Sequence, residues 1–219
     1  MEGQHTLDGI ILTHEAIHCL KQLKKAGMLL KLYLSKAFDK LILNYINQML
    51  QAFRFSPTWT KWIMHLISSP TFSILLNGSP TSMFTPSRGI RQGHPLSPFL
   101  FVLMEEGLSH LINHAVSTNS LKGLSLHNNP LLTHQQFFDD NMPFGHPSVQ
   151  EAQTFKSLLD TFSEALGTTI NAGKSQIFFC NTPLINQHNI ARILGFSIAN
   201  IPSKYLGAPL TDSAIKHSY

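Results

Sequence analysis

Two adjacent aspartates, Asp139 and Asp140, are the only acidic residues between Glu106 and Glu151. Short apolar segments precede and follow the pair, which predicts a β-hairpin with the aspartates at its tip. Side chains alternate across a strand, so a turn is what allows both carboxylates to approach one point. Carboxylate oxygens are the ligands that Mg²⁺ prefers, and protein-bound Mg²⁺ favours partners that carry phosphates. An ordinary aspartate turn, with its carboxylates bonded to nearby backbone, explains the same residues.

The composition points to a polyanionic partner. Charged residues make up only 13% of the 219 residues, about half the usual share, and the formal net charge is +4. No acidic residue occurs between Lys40 and Met104. A cluster of lysines precedes that stretch and is opposed only by Asp39: Lys21, Lys24, Lys25, Lys31, Lys36 and Lys40. This distribution fits a nucleic acid, although a generally basic, solvated face is an open alternative.

Two cysteines, Cys19 and Cys180, support neither a disulfide framework nor a four-cysteine zinc site. The sequence shows no basic-then-apolar leader and no run of about 18 apolar residues that could span a bilayer. These features predict an intracellular protein of the nucleus or cytoplasm with no membrane association.

Helical and strand patterns alternate along the chain and predict an α+β fold. Helices are expected over residues 7–25, 41–53 and 97–116. A fourth begins at the Ser148–Glu151 capping-box pattern and ends at Gly167. Its inward side chains are predicted to be Val149, Ala152, Phe155, Leu158, Leu159, Phe162 and Leu166. Strands are expected over residues 28–34, 72–76 and 175–180, the second of them ending at a hairpin turn formed by Asn77 and Gly78.

Five segments closely resemble, in order, the conserved blocks of reverse transcriptases from LINE-type (non-LTR) retrotransposons. The most specific is SRGIRQGHPLSP at residues 87–98, which resembles the second block of that family. LYLSKAFDK at 32–40 resembles the first catalytic block, and FFDD at 137–140 the metal-binding hairpin. INAGKS at 170–175 is similar to the next block, and KYLGAPL at 204–210 to the primer-grip hairpin.

The resemblance implies a polymerase palm, an antiparallel sheet backed by helices, with part of the fingers. It implies partial fingers over residues 1–30, a palm with inserted fingers helices over 31–195, and a primer-grip-like hairpin with a truncated C-terminus over 196–219. The implied activity is RNA-directed DNA synthesis from an RNA template, a DNA primer and deoxynucleoside triphosphates. In such in-line displacements two Mg²⁺ ions about 4 Å apart stabilise the attacking and leaving oxygens.

The resemblance also implies roles for individual residues. Catalysis and metal binding fall to Asp139 and Asp140, with Lys174 relieving the charge of the leaving pyrophosphate. Contacts to nucleotide and template are implied for Phe38, Arg91, Gln92 and Gly93, and primer contacts for Leu206 and Gly207. Without the resemblance, Phe38 reads equally as core, Lys174 as a solvated turn lysine and Gly93 as a turn glycine.

One departure from the family pattern predicts that the chain is catalytically inactive. Tyr33 stands where the family carries its first catalytic aspartate, and a tyrosine side chain is uncharged at neutral pH and a poor Mg²⁺ ligand. Asp39, six residues later, is too far along the chain to substitute and suits the start of a helix. Phe138 replaces a small residue in the hairpin, where it is expected to overpack the turn, and His94 replaces an aspartate. The sequence therefore predicts a degenerate retrotransposon remnant.

Other classes of function remain open. His14, Glu15 and His18 match the HExxH pattern of zinc hydrolases, although no third ligand pattern follows. Loss of catalysis would leave a nucleic-acid-binding protein that uses the lysine cluster together with Arg54, Lys61, Arg88 and Arg91. A remnant with no biochemical role is the third alternative.

Overall fold

A computed structural model describes residues 6–125, 131–138, 140–201 and 203–210. The chain divides into two compact units: the first comprises Met1–Tyr33, Leu108–Asp160 and Ile170–Tyr219, and the second Leu34–Gly107 and Thr161–Thr169. The helices are α1 (Thr6–Gln22), α2 (Ala37–Lys40), α3 (Leu43–Ala52), α4 (Pro57–Ser68), α5 (Ser97–Ser117), α6 (Val149–Leu166) and α7 (Leu184–Leu194). The strands are β1 (Gly27–Tyr33), β2 (Leu75–Leu76), β3 (Ser79–Pro80), β4 (His134–Phe137), β5 (Asp140–Gly145), β6 (Gln176–Cys180), β7 (Ser197–Ile198), β8 (Ser203–Tyr205) and β9 (Ala208–Leu210).

The first unit is built on a five-stranded sheet in the order β4-β5-β1-β6-β7. β1 is the central strand and its first six residues are all buried, as expected for a continuous apolar run. Its neighbours β5 and β6 are antiparallel to it, and only the short β7 runs parallel to its partner β6. The predicted α+β class and the mainly antiparallel sheet are therefore confirmed.

Helices pack on both faces of this sheet. On one face the α1 side chains Ala16, Ile17 and Leu20 share a buried cluster with strand residues that include Leu29 and Phe144. On the opposite face Phe155 of α6 lies so close to Gly145 that a Cβ added there would be 2.7 Å from its ring. The central strand is thereby fixed from both sides, which sets the position of every side chain at its end.

The start of α6 differs in detail from the predicted capping box. The backbone amide of Glu151 donates to Ser148 Oγ, as predicted. The Glu151 carboxylate does not return to Ser148: it accepts from the amides of His146 at 2.9 Å and Lys122 at 3.2 Å. Burial raises the pKa of this carboxyl, and the two amide hydrogen bonds oppose that shift. Glu151 therefore joins the helix start to the segment that follows α5.

The second unit contains α2, α3, α4, the β2–β3 hairpin and the first half of α5. Asn77 and Gly78 have φ of 50° and 83°, which confirms the predicted hairpin turn. Regular strand pairing covers only Leu75–Leu76, shorter than the predicted 72–76, because the ladder is interrupted before an isolated bridge between Phe72 and Phe84.

Two helices were not predicted, and one side chain was placed wrongly. α4 begins at Ser56, whose Oγ accepts from the Trp59 amide, and Pro57 occupies its first turn. α7 follows Pro183 and ends at Gly195, which has a φ of 74°. Val149, predicted to face inward, is exposed because it is the first residue of α6.

No helix within the described ranges combines the length and apolar character that a membrane crossing requires.

Candidate functional site

The predicted acidic hairpin is present in the first unit. Strands β4 and β5 pair with Phe137 opposite Asp140, so the chain reverses direction directly after Phe137. Asp140 is the first residue of β5 and is half-buried. Asp139, the principal predicted metal ligand, lies outside the described residues. The second aspartate is at the tip of the hairpin, as predicted.

Phe138 adopts a left-handed backbone conformation with a φ of 57°. Non-glycine residues other than Asn and Asp rarely adopt this region, because Cβ approaches the following carbonyl oxygen at a cost of about 1–2 kcal/mol. Its ring is 40% exposed, so the expected overpacking of the turn is wrong. Phe138 therefore destabilises the turn through its backbone conformation, at the residue that precedes Asp139.

Tyr33 lies directly opposite Asp140 in the pairing of β1 with β5. Opposite residues of an antiparallel pair project from the same face of the sheet. The Tyr33 backbone is held on its other side by the segment 170–175: its carbonyl accepts from the Asn171 amide at 2.7 Å, and its amide donates to Ser175 Oγ at 3.1 Å. Two segments that the sequence singled out separately therefore meet at the end of the central strand.

Lys31 is buried two residues before Tyr33 and lies on the same face of β1. Its Nζ is 5.2 Å from the centroid of the Tyr33 ring, within the range of a cation–π interaction. The lysine cluster that includes Lys31 was predicted to fit a polyanionic partner, with a solvated basic face as the alternative; because Lys31 is buried, the alternative is wrong for this residue. Its charge instead lies beside the residue opposite Asp140.

Lys174 occupies the turn between Tyr33's two backbone partners. Its amide donates to both the backbone oxygen and Oδ1 of Asn171, each at 3.1 Å, and its side chain is exposed. The predicted catalytic lysine thus lies in the turn that holds the Tyr33 backbone, and its side chain is exposed to solvent.

The predicted primer-grip segment forms a hairpin of β8 and β9. Leu206 and Gly207 are its turn residues, with φ of 49° and 81°. Tyr205, before the turn, is fully buried, and its hydroxyl has no hydrogen-bond partner among the described residues. Burial, and secondarily the charge of Asp140, raise the pKa of Tyr205. The sequence analysis did not identify Tyr205 as a neighbour of the acidic hairpin.

The second unit holds the residues predicted to contact nucleotide and template. A cavity of about 530 Å³ is lined by Arg88, Arg91, Gln92 and Asp39 together with apolar side chains. Gln92 Nε2 donates to Asp39 Oδ1 at 3.0 Å. Gly93, beside them, has a φ of 81°, which favours glycine. Asp39 thus contributes to this cavity, a role that sequence reasoning missed because its partner is 53 residues away.

Phe38 packs within the second unit. Its ring stacks on that of Phe101 in α5, with centroids 4.6 Å apart and an interplanar angle of 19°. Phe101 is fully buried, and Phe38 is half-buried. Phe38 therefore has one face in the core and an edge that remains accessible, an arrangement compatible with both of its predicted roles.

The HExxH pattern does not form a metal site in the described part of the chain. His14 is buried, and its Nε2 donates to the Pro209 carbonyl at 2.9 Å, whereas Glu15 is exposed. No group of three or more His, Cys, Asp or Glu side chains able to hold a metal ion occurs among the described residues. His14 thus links α1 to β9.

A family model described as reverse transcriptase (RNA-dependent DNA polymerase) matches residues 1–210. The chain belongs to the reverse transcriptase family. An uncharacterized mitochondrial protein of Arabidopsis thaliana is 48% identical over 67 residues, which are 30% of this chain and 55% of that protein. The transposon TX1 uncharacterized 149 kDa protein of Xenopus laevis is 24% identical over 79% of this chain. The retrovirus-related Pol polyprotein from the type-2 retrotransposable element R2DM of Drosophila melanogaster is 25% identical over 77% of it.

These relatives identify a LINE-type reverse transcriptase domain, as the five blocks predicted. The chain spans only 13% of the TX1 protein and 15% of the R2DM polyprotein.

Solved telomerase structures share the fold. A truncated apo telomerase from Candida tropicalis superposes with a TM-score of 0.61 at 12% identity, covering 83% of this chain and 36% of that one. Telomerase from Candida albicans, in complex with a fragment of telomeric RNA, gives a TM-score of 0.60 at 12% identity, covering 80% of this chain and 30% of that one. The likeness confirms a palm-type polymerase fold.

Proposed function

We propose that this reverse transcriptase domain binds nucleic acid but does not polymerise it, because Tyr33 occupies the position of a metal-binding carboxylate. The observation that carries the proposal is the pairing of Tyr33 with Asp140 across β1 and β5. An aspartate at position 33 would project from the same face as Asp140, where two carboxylates can share divalent cations.

The residues at this point do not fit a pair of Mg²⁺ ions. Tyr33 offers an uncharged phenol instead of a carboxylate, and the buried Lys31 ammonium adds positive charge beside its ring. Metal ions supply several kcal/mol of transition-state stabilisation, and each 1.4 kcal/mol lost slows a reaction about tenfold. The missing ligand is therefore sufficient to reduce polymerisation by several orders of magnitude.

The remaining assignments extend this proposal to the other blocks. Asp139 and Asp140 are the carboxylates that remain of the metal site, and Lys174 occupies the position of the cation that would relieve a leaving pyrophosphate. Template and nucleotide contact Phe38, Arg91, Gln92 and Gly93, and the primer end contacts Leu206 and Gly207. The partners are an RNA template, a DNA primer and deoxynucleoside triphosphates, with 1–30, 31–195 and 196–219 as the functional divisions. The RNA complex of the Candida albicans telomerase supports nucleic-acid binding by this fold.

Primer extension on an RNA template, with Mg²⁺ or Mn²⁺, tests the proposal on three forms of the chain. The unmodified chain and Tyr33→Asn are expected to be silent, and Tyr33→Asp to extend the primer. Asparagine matches aspartate in size and lacks its charge, so this pair isolates the carboxylate. Extension by the unmodified chain at the rate of Tyr33→Asp would overturn the proposal. Silence in all three, with nucleic-acid binding intact, would contradict the placement of the defect at Tyr33.

A further inference from the structure

Helix α4 of the second unit presents an exposed aromatic face. Trp59 is 42% exposed and Trp62 61%, and Leu66 continues the same face at helical spacing. The Phe55 ring stacks on Trp59 with centroids 5.4 Å apart and an interplanar angle of 23°. The Ser56 cap fixes the start of the helix, so these rings are held in place by ordered backbone. We call Phe55, Trp59 and Trp62 the aromatic surface.

A groove between α3 and α4 adjoins these rings. Its volume is about 1230 Å³, and Phe55 and Trp62 contribute to its lining. The lining also contains polar and basic side chains, among them Asn47, Gln51, Lys61 and His65. The groove therefore combines flat rings with amide groups, which can bond to the edges of bases, and with a lysine that can pair with a phosphate.

The surrounding charge selects among possible occupants of this groove. No aspartate or glutamate among the described residues lines the groove, Lys61 is part of its lining, and Arg54 precedes the lining residue Phe55 in the sequence. This positive charge would not favour binding of an apolar protein segment, whereas it attracts a polyanion. Aromatic rings with nearby cations are the recurring elements of sites that bind single strands, where bases stack and phosphates follow the basic groups.

We infer that the aromatic surface and its groove bind single-stranded nucleic acid by base stacking. The inference rests on the nucleic-acid binding proposed above and adds to it a surface formed entirely by residues of the second unit. Stacking on Trp62 and Phe55 provides affinity with little sequence preference, and Lys61 makes the affinity dependent on salt.

The tryptophans provide a direct readout, because the chain has only two and both lie on α4. Titration of the full chain with an unlabelled oligouridylate of about 12 nucleotides is expected to quench their emission saturably, and added salt to weaken the effect. Anisotropy of a labelled copy of the same oligonucleotide measures total binding independently. Trp62→Ala is expected to weaken binding about 5- to 150-fold, the equivalent of losing one stacked base.

Two further variants make the test specific. Trp62→Phe retains an aromatic ring and is expected to retain most of the affinity. Ile185→Ala removes an apolar side chain that is 72% exposed on α7 of the first unit, and it should leave affinity unchanged.

Each contrary result has its own meaning. Binding by anisotropy with no quenching and no effect of Trp62→Ala would overturn this inference and leave the proposed nucleic-acid binding intact. Absence of binding in both measurements would overturn both. Emission that shifts with protein concentration alone would assign the surface to a second copy of the chain and likewise refute the inference.

Discussion

The effect of Gly107→Ala on the free energy of unfolding is predicted to depend on one atom, the hydroxyl oxygen of Tyr45. A Cβ added at Gly107 would lie 2.1 Å from Tyr45 Oη and 3.4 Å from the ring carbon that carries it. Tyr45 Oη donates to the Met104 carbonyl at 3.2 Å. Gly107→Ala must therefore displace the Tyr45 hydroxyl and disrupt its hydrogen bond.

The expected change in the free energy of unfolding follows from three contributions. Alanine is favoured over glycine inside a helix by about 1 kcal/mol. Overpacking opposes this by about 1–3 kcal/mol, and the disrupted hydrogen bond by about 0.5–1.5 kcal/mol. Gly107→Ala should therefore destabilise the chain by about 1–3 kcal/mol. In a Tyr45→Phe background the nearest ring atom is at ordinary contact distance, so the same substitution should be neutral or stabilise by up to about 1 kcal/mol.

Urea unfolding of the four chains, followed by far-ultraviolet circular dichroism, completes a double-mutant cycle. A coupling of about 1–4 kcal/mol between the two sites is expected. Equal destabilisation by Gly107→Ala in both backgrounds would show that the hydroxyl does not limit the space at Gly107 and would refute the reasoning.

Two further predictions use the same unfolding assay. Gly145→Ala would place a Cβ 2.7 Å from the Phe155 ring and 2.8 Å from Glu151 Oε2, so it should lower the free energy of unfolding by about 1–3 kcal/mol. Gly173→Ala is the control: the nearest neighbour of its Cβ would be 3.5 Å away, and it should cost less than about 0.5 kcal/mol. Equal losses of stability in the two variants would contradict the prediction. Burial, and secondarily the charge of Glu105, raise the pKa of Tyr45 from 10.0 to about 12, so stability should fall as pH rises from 10 to 12 because only the unfolded chain loses that proton. Tyr45→Phe should make this fall shallower by up to about 1.4 kcal/mol per pH unit, and an unchanged slope would contradict the assignment.

The sequence predicted best those elements whose signals are local. The apolar run of β1, the Asn77-Gly78 turn and the glycine end of α6 each appeared at or within a few residues of the expected position. α4 was missed because no helix start was recognised after the helix predicted over residues 41–53. Ser56 and Pro57 together are a helix start, and the proline occupies a first-turn position where its missing N–H is not needed.

Features that depend on distant partners could not be predicted from local patterns. Asp39 was interpreted through the helix dipole, whereas its carboxylate accepts a hydrogen bond from Gln92. Glu151 was expected to complete a capping box, whereas it bonds to the amide of Lys122, 29 residues earlier. Lys31 was counted with the basic cluster because of its charge, although it lies within the apolar run that predicted β1 and is buried there.

The scaffold around Tyr33 is determined by residues that take no part in the chemistry. β1 is held by its backbone pairing with β5 and β6 and by buried apolar side chains such as Leu29 and Leu30. The register that places Tyr33 opposite Asp140 would be the same with an aspartate at position 33, because a one-residue slip would exchange Leu29 and Leu30 between the two faces of the sheet and disrupt the close packing on both. A change at this position can therefore remove a metal ligand without removing the fold. The proposed nucleic-acid-binding surfaces are therefore independent of the proposed defect at position 33. Primer extension by Tyr33→Asp tests the defect, and nucleic-acid binding by Trp62→Ala tests the surface.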